Sequence, residues 1–285
     1  MVYIDDLETE DKIYCYEGTK VLKNKLNIKD ETDLSDAERE IVAIKFTDLY
    51  QHPVKGNLDF EHYKTIHKRL FCDLYPFAGK VRECDIFKHN YFCFSQYINV
   101  CAEDIFNSFR SKKYFINYNY EEKIELIARL YSDLNALHPF REGNGRVVRE
   151  FIEEVSKING IDLDLSTANK EELITASMES FIGKYDRLLK IFNKKSYPLT
   201  KEEQIESIDS YCNNIFQLCN RTENLIPLLS NLLATIDNKT ILFTNSLEYK
   251  ECYNAYHIIE NIDLSVKEAK QLLEDIHFSK KNDLQ

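Results

Sequence analysis

A scarcity of glycine and proline constrains the fold of this chain more than any other feature. Its 285 residues include only seven glycines and five prolines. These two residue types interrupt helices, so long segments here are free to stay helical. Apolar residues recur at spacings of three and four over much of the chain, which is typical of amphipathic helices. We therefore expect a mainly α-helical protein with one good core and a small second domain.

Charge and cysteine pattern exclude several classes of protein. The net charge is −11, from 48 acidic and 37 basic residues, which opposes binding to nucleic acid or anionic membranes. We expect no conventional secretory signal and no membrane span, because the opening residues are acidic and no apolar run is long enough. The eight cysteines show no C-x-x-C pair and no metal-ligand spacing, so we expect free thiols in a reducing cytosol. Export by a non-classical route would leave no mark of this kind.

Two amphipathic helices flank one unusual loop. The first covers YEEKIELIARLYSDLNALH, whose apolar face runs from Ile124 to Leu134 and ends at His138. The second ends at Asn159 and Gly160, a typical C-terminal stop. The stretch HPFREGNGRVVR (His138–Arg149) is therefore predicted to be a loop that opens the second helix.

A short β-hairpin is predicted upstream of that loop. The run KVRECDIFKHNYFCFSQYI, from Lys80, alternates weakly between apolar and polar residues. Its polar turn candidate is formed by Lys88, His89 and Asn90, between two segments rich in aromatic residues. From Pro198 onward the pattern again indicates amphipathic helices.

The glycines of the loop indicate an anion-binding site. Gly143 and Gly145 flank Asn144 at the start of a helix, where unpaired backbone N–H groups and the helix dipole favour negative charge. Arg146 and Arg149 are three residues apart on the first turns of that helix. Both can add bidentate phosphate contacts, so the site has room for more than one phosphate group.

An acid and a base accompany the anion site. Glu142 would repel bound phosphates unless a divalent cation stood between them, which suggests Mg²⁺. His138 is the only side chain in the loop suited to taking a proton from a hydroxyl at neutral pH. Each feature has an ordinary alternative: a capping histidine, a Gly-Asn-Gly turn, or arginines paired with Glu150 or Glu153. Their order and spacing together favour polyanion chemistry.

HPFREGNGRVVR resembles the defining motif of the Fic family, His-x-Phe-x-Asp/Glu-Gly-Asn-Gly-Arg-x-x-Arg, with every fixed position present. Two upstream segments, Tyr16 to Ile28 and Gly56 to Lys88, resemble the flanks of the bacterial cell-filamentation type of Fic protein. The resemblance covers residues 10–195. It implies a mainly α fold, with a Fic-type helical bundle core and a short β-hairpin flap.

The same resemblance suggests two domains. The Fic domain would cover residues 1–197, with its core at 50–195, its flap at 81–98 and its catalytic loop at 138–149. A helical C-terminal region of unknown role would cover residues 198–285.

The activity that the resemblance implies is protein adenylylation. AMP would move from ATP to a Tyr, Ser or Thr hydroxyl of a target protein docked along the flap, and pyrophosphate would leave. Phe140 would anchor the loop in the core. The implied roles are a general base (His138), an Mg²⁺ carrier (Glu142), an anion hole (Gly143, Asn144, Gly145), a phosphate and loop contact (Arg146) and a γ-phosphate ligand (Arg149).

The resemblance also implies further nucleotide-contacting residues, some of which have an ordinary structural role as an alternative. They are Arg141 in the loop, Lys88 in the flap, Asn135 and Asn169. Asn135 could equally be a polar residue on a helix face, and Asn169 an N-cap. The flap has Phe87 and His89 around Lys88, where small residues or glycine are usual, so target choice is open.

Regulation also stays open. Many relatives carry an inhibitory helix with Ser/Thr-x-x-x-Glu-Gly/Asn. This chain has no strict match: Glu17 follows Ile13 at the required spacing, and the segment from Thr244 to Glu248 is followed by Tyr249. Inhibition would then come from a separate antitoxin-like protein, or be absent.

Two functions other than protein adenylylation stay open. The protein could be a catalytically vestigial scaffold, or a Fic enzyme that transfers another phosphate-containing group. A homo-oligomer is compatible with either.

Overall fold

A computed structural model describes residues 13–54, 56–88, 90–115, 117–200 and 203. Seven α-helices and two short antiparallel strand pairs lie within this part of the chain, which confirms the mainly α fold. The helices are α1 (Glu31–Gln51), α2 (Phe60–Phe71), α3 (Ile98–Ser111), α4 (Tyr120–Leu137), α5 (Asn144–Ile158), α6 (Lys170–Ser180) and α7 (Asp186–Lys195). The strands are β1 (Phe87–Lys88), β2 (Asn90–Tyr91), β3 (Ile161–Leu163) and β4 (Ser196–Pro198).

Side-chain caps set where the main helices begin. The Asp30 carboxylate accepts from the N–H groups of Thr32 and Asp33 at the start of α1. At the start of α4, Asn119 and Glu122 form a reciprocal capping box. Such caps satisfy backbone donors that have no partner inside the helix, so they fix the register of the helix start.

Aromatic rings from α2, α5 and the loop between α4 and α5 form the centre of the core. Tyr63 stacks on Phe140 with 5.6 Å between ring centroids and meets Phe151 edge-on at 5.4 Å. All three side chains are fully buried. Phe140 therefore anchors the loop in the core, as predicted, and this is where the site is attached to the bundle.

The predicted hairpin is present. Strand β1 pairs with β2, with Phe87 opposite Tyr91 and Lys88 opposite Asn90. Lys88 and Asn90, two residues of the predicted turn, thus belong to the strands, and the third, His89, lies outside the described residues.

The second strand pair was not predicted. Strand β3 follows α5 directly and pairs with β4, which follows α7, so that Ile161 lies opposite Pro198.

The chain separates into two units, residues 1–204 and 205–285, and Pro198 lies in the first. The predicted domain boundary at 197/198 stays a prediction, and most of the predicted C-terminal helical region lies outside the described residues. None of the described helices combines the length and the apolarity needed to cross a bilayer.

Candidate active site

His138 stands where α4 ends. Its backbone is left-handed, with φ 43°, and its N–H closes the last turn on the carbonyl of Leu134. The side chain is only 9% exposed. Its Nδ1 lies 3.3 Å from the carbonyl oxygen of Asn135, which can only accept, so Nδ1 carries the proton in the neutral ring. Nε2 is then the basic nitrogen, the state that a general base requires.

The buried guanidinium of Arg82 ties the base of the hairpin to this histidine. Its Nε donates to the carbonyl of His138 at 2.8 Å, and its Nη1 donates to the carbonyl of Cys84 at 2.5 Å. A third bond reaches the carbonyl of Cys93. Burial lowers the pKa of this arginine, while the three carbonyl acceptors and Asp85, whose Oδ1 lies 3.8 Å from Nη1, satisfy its charge. Sequence reasoning missed Arg82, although it lies within the quoted flank.

Phe92, which follows the hairpin, covers one face of the histidine. Its ring is stacked on the imidazole with 3.7 Å between centroids, and Phe181 meets Phe92 edge-on at 6.0 Å. The stack and the Nδ1 bond together fix the plane of the ring. No local pattern in the sequence indicated this contact.

Glycine is required at position 143 for two reasons. Gly143 is the N-cap of α5 and has φ +81°, a conformation that side chains rarely adopt. A Cβ at this position would also lie 2.4 Å from Cζ of Phe71. The tight turn brings the start of α5 against Phe71 of α2.

The side chain of Asn144 closes the loop on itself. Its Oδ1 accepts from the N–H of Phe140 at 2.9 Å, and its Nδ2 donates to the carbonyl of the same residue at 2.7 Å. Asn144 is buried, so its side chain supports the loop while its backbone N–H belongs to the first turn of α5. The N–H groups of residues 144 and 145 precede the first intrahelical bonds, which run from Arg146 and Val147 to Gly143. These are the donors that the predicted anion cradle would use, and their phosphate-binding role stays a prediction.

A second buried histidine supports the loop from α2. His67 Nδ1 accepts from the N–H of Gly79 at 2.7 Å, and Nε2 donates to the carbonyl of Glu142 at 3.0 Å. The ring is stacked on Phe140 with 3.8 Å between centroids. Burial lowers the pKa of His67 to about 4, so the ring is neutral and its tautomer is fixed. This residue, also missed from sequence, holds the backbone of Glu142 in place.

The carboxylate and the two arginines of the motif come together at the start of α5. The Glu142 Oε1 accepts from the N–H of Gly143 at 2.9 Å and lies 3.6 Å from Nη2 of Arg146. That same Nη2 lies 2.5 Å from Oε1 of Glu38 on α1. A Cβ added at Gly145 would lie 3.5 Å from Nη1 of Arg149, so the guanidinium of Arg149 lies beside Gly145. Glu38 was not predicted.

The remaining residues predicted to contact the nucleotide lie in different parts of the fold. Asn135 is half-buried on α4, and Arg141 is half-buried within the loop. Asn169 is the N-cap of α6 and accepts from the N–H of Glu172 at 3.0 Å, which is the alternative stated for it. Lys88 lies in strand β1. The structure thus brings the residues of the 138–149 loop together. The roles predicted for them, like those of Lys88, Asn135 and Asn169, stay predictions.

A groove opens beside the two arginines. It has a volume of about 1010 Å³ and extends from Arg146 and Arg149 along α5, with α1 and the segment after β3 as its other walls. Burial, reinforced by the carboxylates of Glu153 and Glu154, raises the pKa of Glu150 in this groove to about 7. The alternative reading, in which the arginines pair with Glu150 or Glu153, is not among the ion pairs of the described residues.

Comparison with known proteins agrees with this geometry. The Fic/DOC family profile matches residues 57–155. The chain is 33% identical over 194 residues to the protein adenylyltransferase VbhT of Bartonella schoenbuchensis. The matched segment covers 68% of this chain and 41% of that protein. It is 30% identical over 182 residues to the probable protein adenylyltransferase Fic of Escherichia coli K12, covering 64% of this chain and 90% of that protein.

Solved structures show the same fold. BepC of Bartonella tribocorum, with bound AMPPNP, has a TM-score of 0.63 and 24% identity, and the match covers 67% of this chain and 99% of that one. The type IV secretion system effector BepA has a TM-score of 0.60 and 25% identity, covering 66% of this chain and 69% of that one. A helical bundle with a hairpin beside an HPFREGNGRVVR loop is a Fic domain, and this chain belongs to the Fic/DOC family.

Proposed function

We propose that this protein is a protein adenylyltransferase, which transfers AMP from ATP to a hydroxyl side chain of a target protein. The observation that carries the proposal is the setting of His138. Its Nδ1 donates to the carbonyl of Asn135, so Nε2 is its basic nitrogen, and the loop that carries it leads directly into the start of α5. The names of the Fic relatives at about 30% identity support the same activity.

In the proposed reaction His138 acts on the attacking group. Nε2 takes the proton of the target hydroxyl while that oxygen forms a bond to the α-phosphorus of ATP. The bond between the α-phosphorus and the oxygen bridging to the β-phosphate breaks, and pyrophosphate leaves with the bonding electrons. The new link is a phosphodiester between AMP and the target.

The start of α5 stabilises the charge on the phosphates. Backbone N–H groups of Asn144 and Gly145 face the anion, and the helix dipole adds to their effect. Arg149 holds the γ-phosphate and so helps to align the leaving group. Arg141 lies in the same loop and adds positive charge at its edge.

The residues present fit one Mg²⁺ ion that arrives with the nucleotide. Among the described residues, no group of three His, Cys, Asp or Glu side chains could hold a metal by itself. Mg²⁺ often binds through one or two carboxylates together with substrate phosphates. Glu142, beside the cradle, is such a carboxylate, and the bound ion would offset phosphate charge.

The hairpin is the proposed docking edge for the target. A target segment that adds as a strand to β1 or β2 would bring its Tyr, Ser or Thr hydroxyl toward His138. Phe87 in β1 is half exposed, so its ring adds apolar surface to this edge. Lys88 would contact the bound nucleotide or the target from the same strand.

We also propose a cytoplasmic, toxin-like bacterial enzyme that a separate antitoxin-like protein restrains. Among the described residues, Cys72, Cys93 and Cys101 form no disulfide, as a reducing compartment would leave them. An inhibitor that lies in the groove along α5 could present a glutamate to Arg149 and exclude the γ-phosphate.

Isotope position in ATP tests the reaction directly. The purified protein is incubated with a bacterial or host lysate and ATP labelled at either the α- or the γ-phosphate, with Mg²⁺ or with excess chelator. We expect protein-bound label from α-labelled ATP only, and its loss with chelator. Label retained from γ-labelled ATP would indicate a kinase and contradict the proposal.

A further inference from the structure

Arg146 forms an ion pair with a carboxylate outside the catalytic loop. Its Nη2 lies 2.5 Å from Oε1 of Glu38, which is 108 positions away in sequence. The guanidinium also lies over the ring of Phe71, 4.7 Å from its centroid. Only 23% of the Arg146 side chain and 17% of the Glu38 side chain are exposed. The pair is therefore partly shielded from water. A charged hydrogen bond in such a setting contributes more free energy than one at the surface.

Glu38 is itself held on its other oxygen. The hydroxyl of Tyr75 donates to Oε2 of Glu38, and Tyr75 is 2% exposed. Burial, together with this bond, raises the pKa of the tyrosine, so it remains a donor at neutral pH. With one oxygen on Tyr75 and the other on Arg146, the carboxylate has a fixed orientation.

Arg146 has a second carboxylate within reach. Glu142, one helical turn earlier, lies 3.6 Å from the same Nη2 that contacts Glu38. A guanidinium between two carboxylates pairs more fully with the one at hydrogen-bond distance. Without Glu38, the nearest remaining partner of Arg146 is Glu142, the carboxylate assigned above to the metal ion.

We propose that Glu38 is a positioning residue which, braced by Tyr75, draws Arg146 away from Glu142. The carboxylate of Glu142 is then left open to a divalent cation. This inference rests on the proposed function in one respect: the cation is the Mg²⁺ that accompanies the nucleotide. It assigns to α1, which lies outside the motif, a direct influence on the metal-binding group.

An inhibitory role for Glu38 would give the opposite result. If Glu38 withheld Arg146 from a phosphate, removing its charge would strengthen nucleotide binding. If Glu38 protects Glu142, removing its charge lets Arg146 close on Glu142 and compete with Mg²⁺. The two accounts therefore differ in the direction of the change.

The test uses the full chain and a readout that needs no turnover. Thermal stabilisation by a non-hydrolysable ATP analogue is titrated with Mg²⁺ in the parent, E38Q, Y75F and E40Q. Glu40 is an exposed residue of the same helix, so E40Q is the matched control. Loss of an outer contact of a metal site typically costs about 10- to 100-fold in metal affinity. We expect the Mg²⁺ midpoint of E38Q to rise by about tenfold, that of Y75F to rise less, and that of E40Q to be unchanged.

The outcomes separate the inference from the function on which it rests. An unchanged or lower Mg²⁺ midpoint in E38Q overturns the inference while leaving the function intact. A parent that no combination of nucleotide and Mg²⁺ stabilises overturns the function, and the inference with it. Circular dichroism without ligand checks folding; should E38Q be unfolded, Y75F carries the test, and an unchanged midpoint in Y75F then overturns the inference.

Discussion

The ring of Phe92 lies parallel to the imidazole of His138, with 3.7 Å between the two centroids and 13° between the planes. Nδ1 of the same imidazole donates a hydrogen bond to the carbonyl oxygen of Asn135. One contact holds the face of the ring and the other its edge, so the direction of Nε2 is fixed before any substrate arrives. A general base is effective only when its basic atom faces the nucleophile.

Replacing Phe92 by alanine should therefore slow transfer without weakening ATP binding. An aromatic pair contributes about 0.5–1.5 kcal/mol beyond area burial, which corresponds to a roughly 2- to 10-fold loss of rate. F92Y keeps the ring and is the control. Single-turnover transfer at saturating ATP gives the rate, and calorimetry gives the affinity. Equal losses in F92A and F92Y would show that stacking is not the cause.

The turn at Gly143 makes a prediction about stability. G143A introduces a Cβ at φ +81° and 2.4 Å from Cζ of Phe71. Gly183 has φ +79° with no atom of the described residues within 4 Å of an added Cβ, so G183A incurs the backbone strain alone. We expect G183A to lower the free energy of unfolding by about 1–2 kcal/mol. The clash should add about 1–3 kcal/mol in G143A, measured by urea unfolding. Similar losses in both variants would mean that Phe71 moves aside freely.

His67 should make the protein sensitive to mild acid. Burial lowers its pKa to about 4 in the folded state, against about 6.5 in the unfolded chain. The unfolded state then binds more protons between these values, so the free energy of unfolding falls as pH decreases from about 6.5 to 4. The full difference is about 3 kcal/mol. We expect H67N to lose most of this pH dependence, whereas H52N, at an exposed histidine, keeps it. Identical pH profiles of urea unfolding for H67N and the parent would contradict the account.

Glu150 should act in the opposite direction. Its pKa is raised to about 7, chiefly by burial and further by Glu153 and Glu154. The folded state then binds more protons than the unfolded state, so stability falls as pH rises from about 4.5 to 7. E150Q should be more stable than the parent at pH values above about 7 and gain nothing below about 4.5. E103Q, at an exposed glutamate of α3, is the control. A gain that is equal at both pH values would exclude ionisation as its cause.

The loop was predictable because its chemistry is local. His138, Glu142 and the glycines lie within a few residues of one another, so their order alone places them around one helix start. The hairpin was predictable from its polar turn, and the ends of α4 and α5 from apolar spacing and a stop at Asn159 and Gly160. In each case a short-range rule decides the structure.

The supports of the loop were not predictable for the complementary reason. Glu38, His67 and Arg82 lie 56 or more positions from the loop residues that they contact, and no periodicity reports such pairings. Strands β3 and β4 are three residues each, too short for an alternation signal, and proline in β4 argues against a strand except at an edge.

The most direct test of the central claim compares the parent with H138A in two measurements on the same preparations. Mass spectrometry of lysate proteins detects added AMP after incubation with ATP and Mg²⁺, and calorimetry gives the affinity for ATP. A general base acts on the attacking hydroxyl and not on the nucleotide. We therefore expect AMP on target proteins with the parent, none with H138A, and nearly equal affinities for ATP. Transfer by H138A at close to the parental rate would contradict the account.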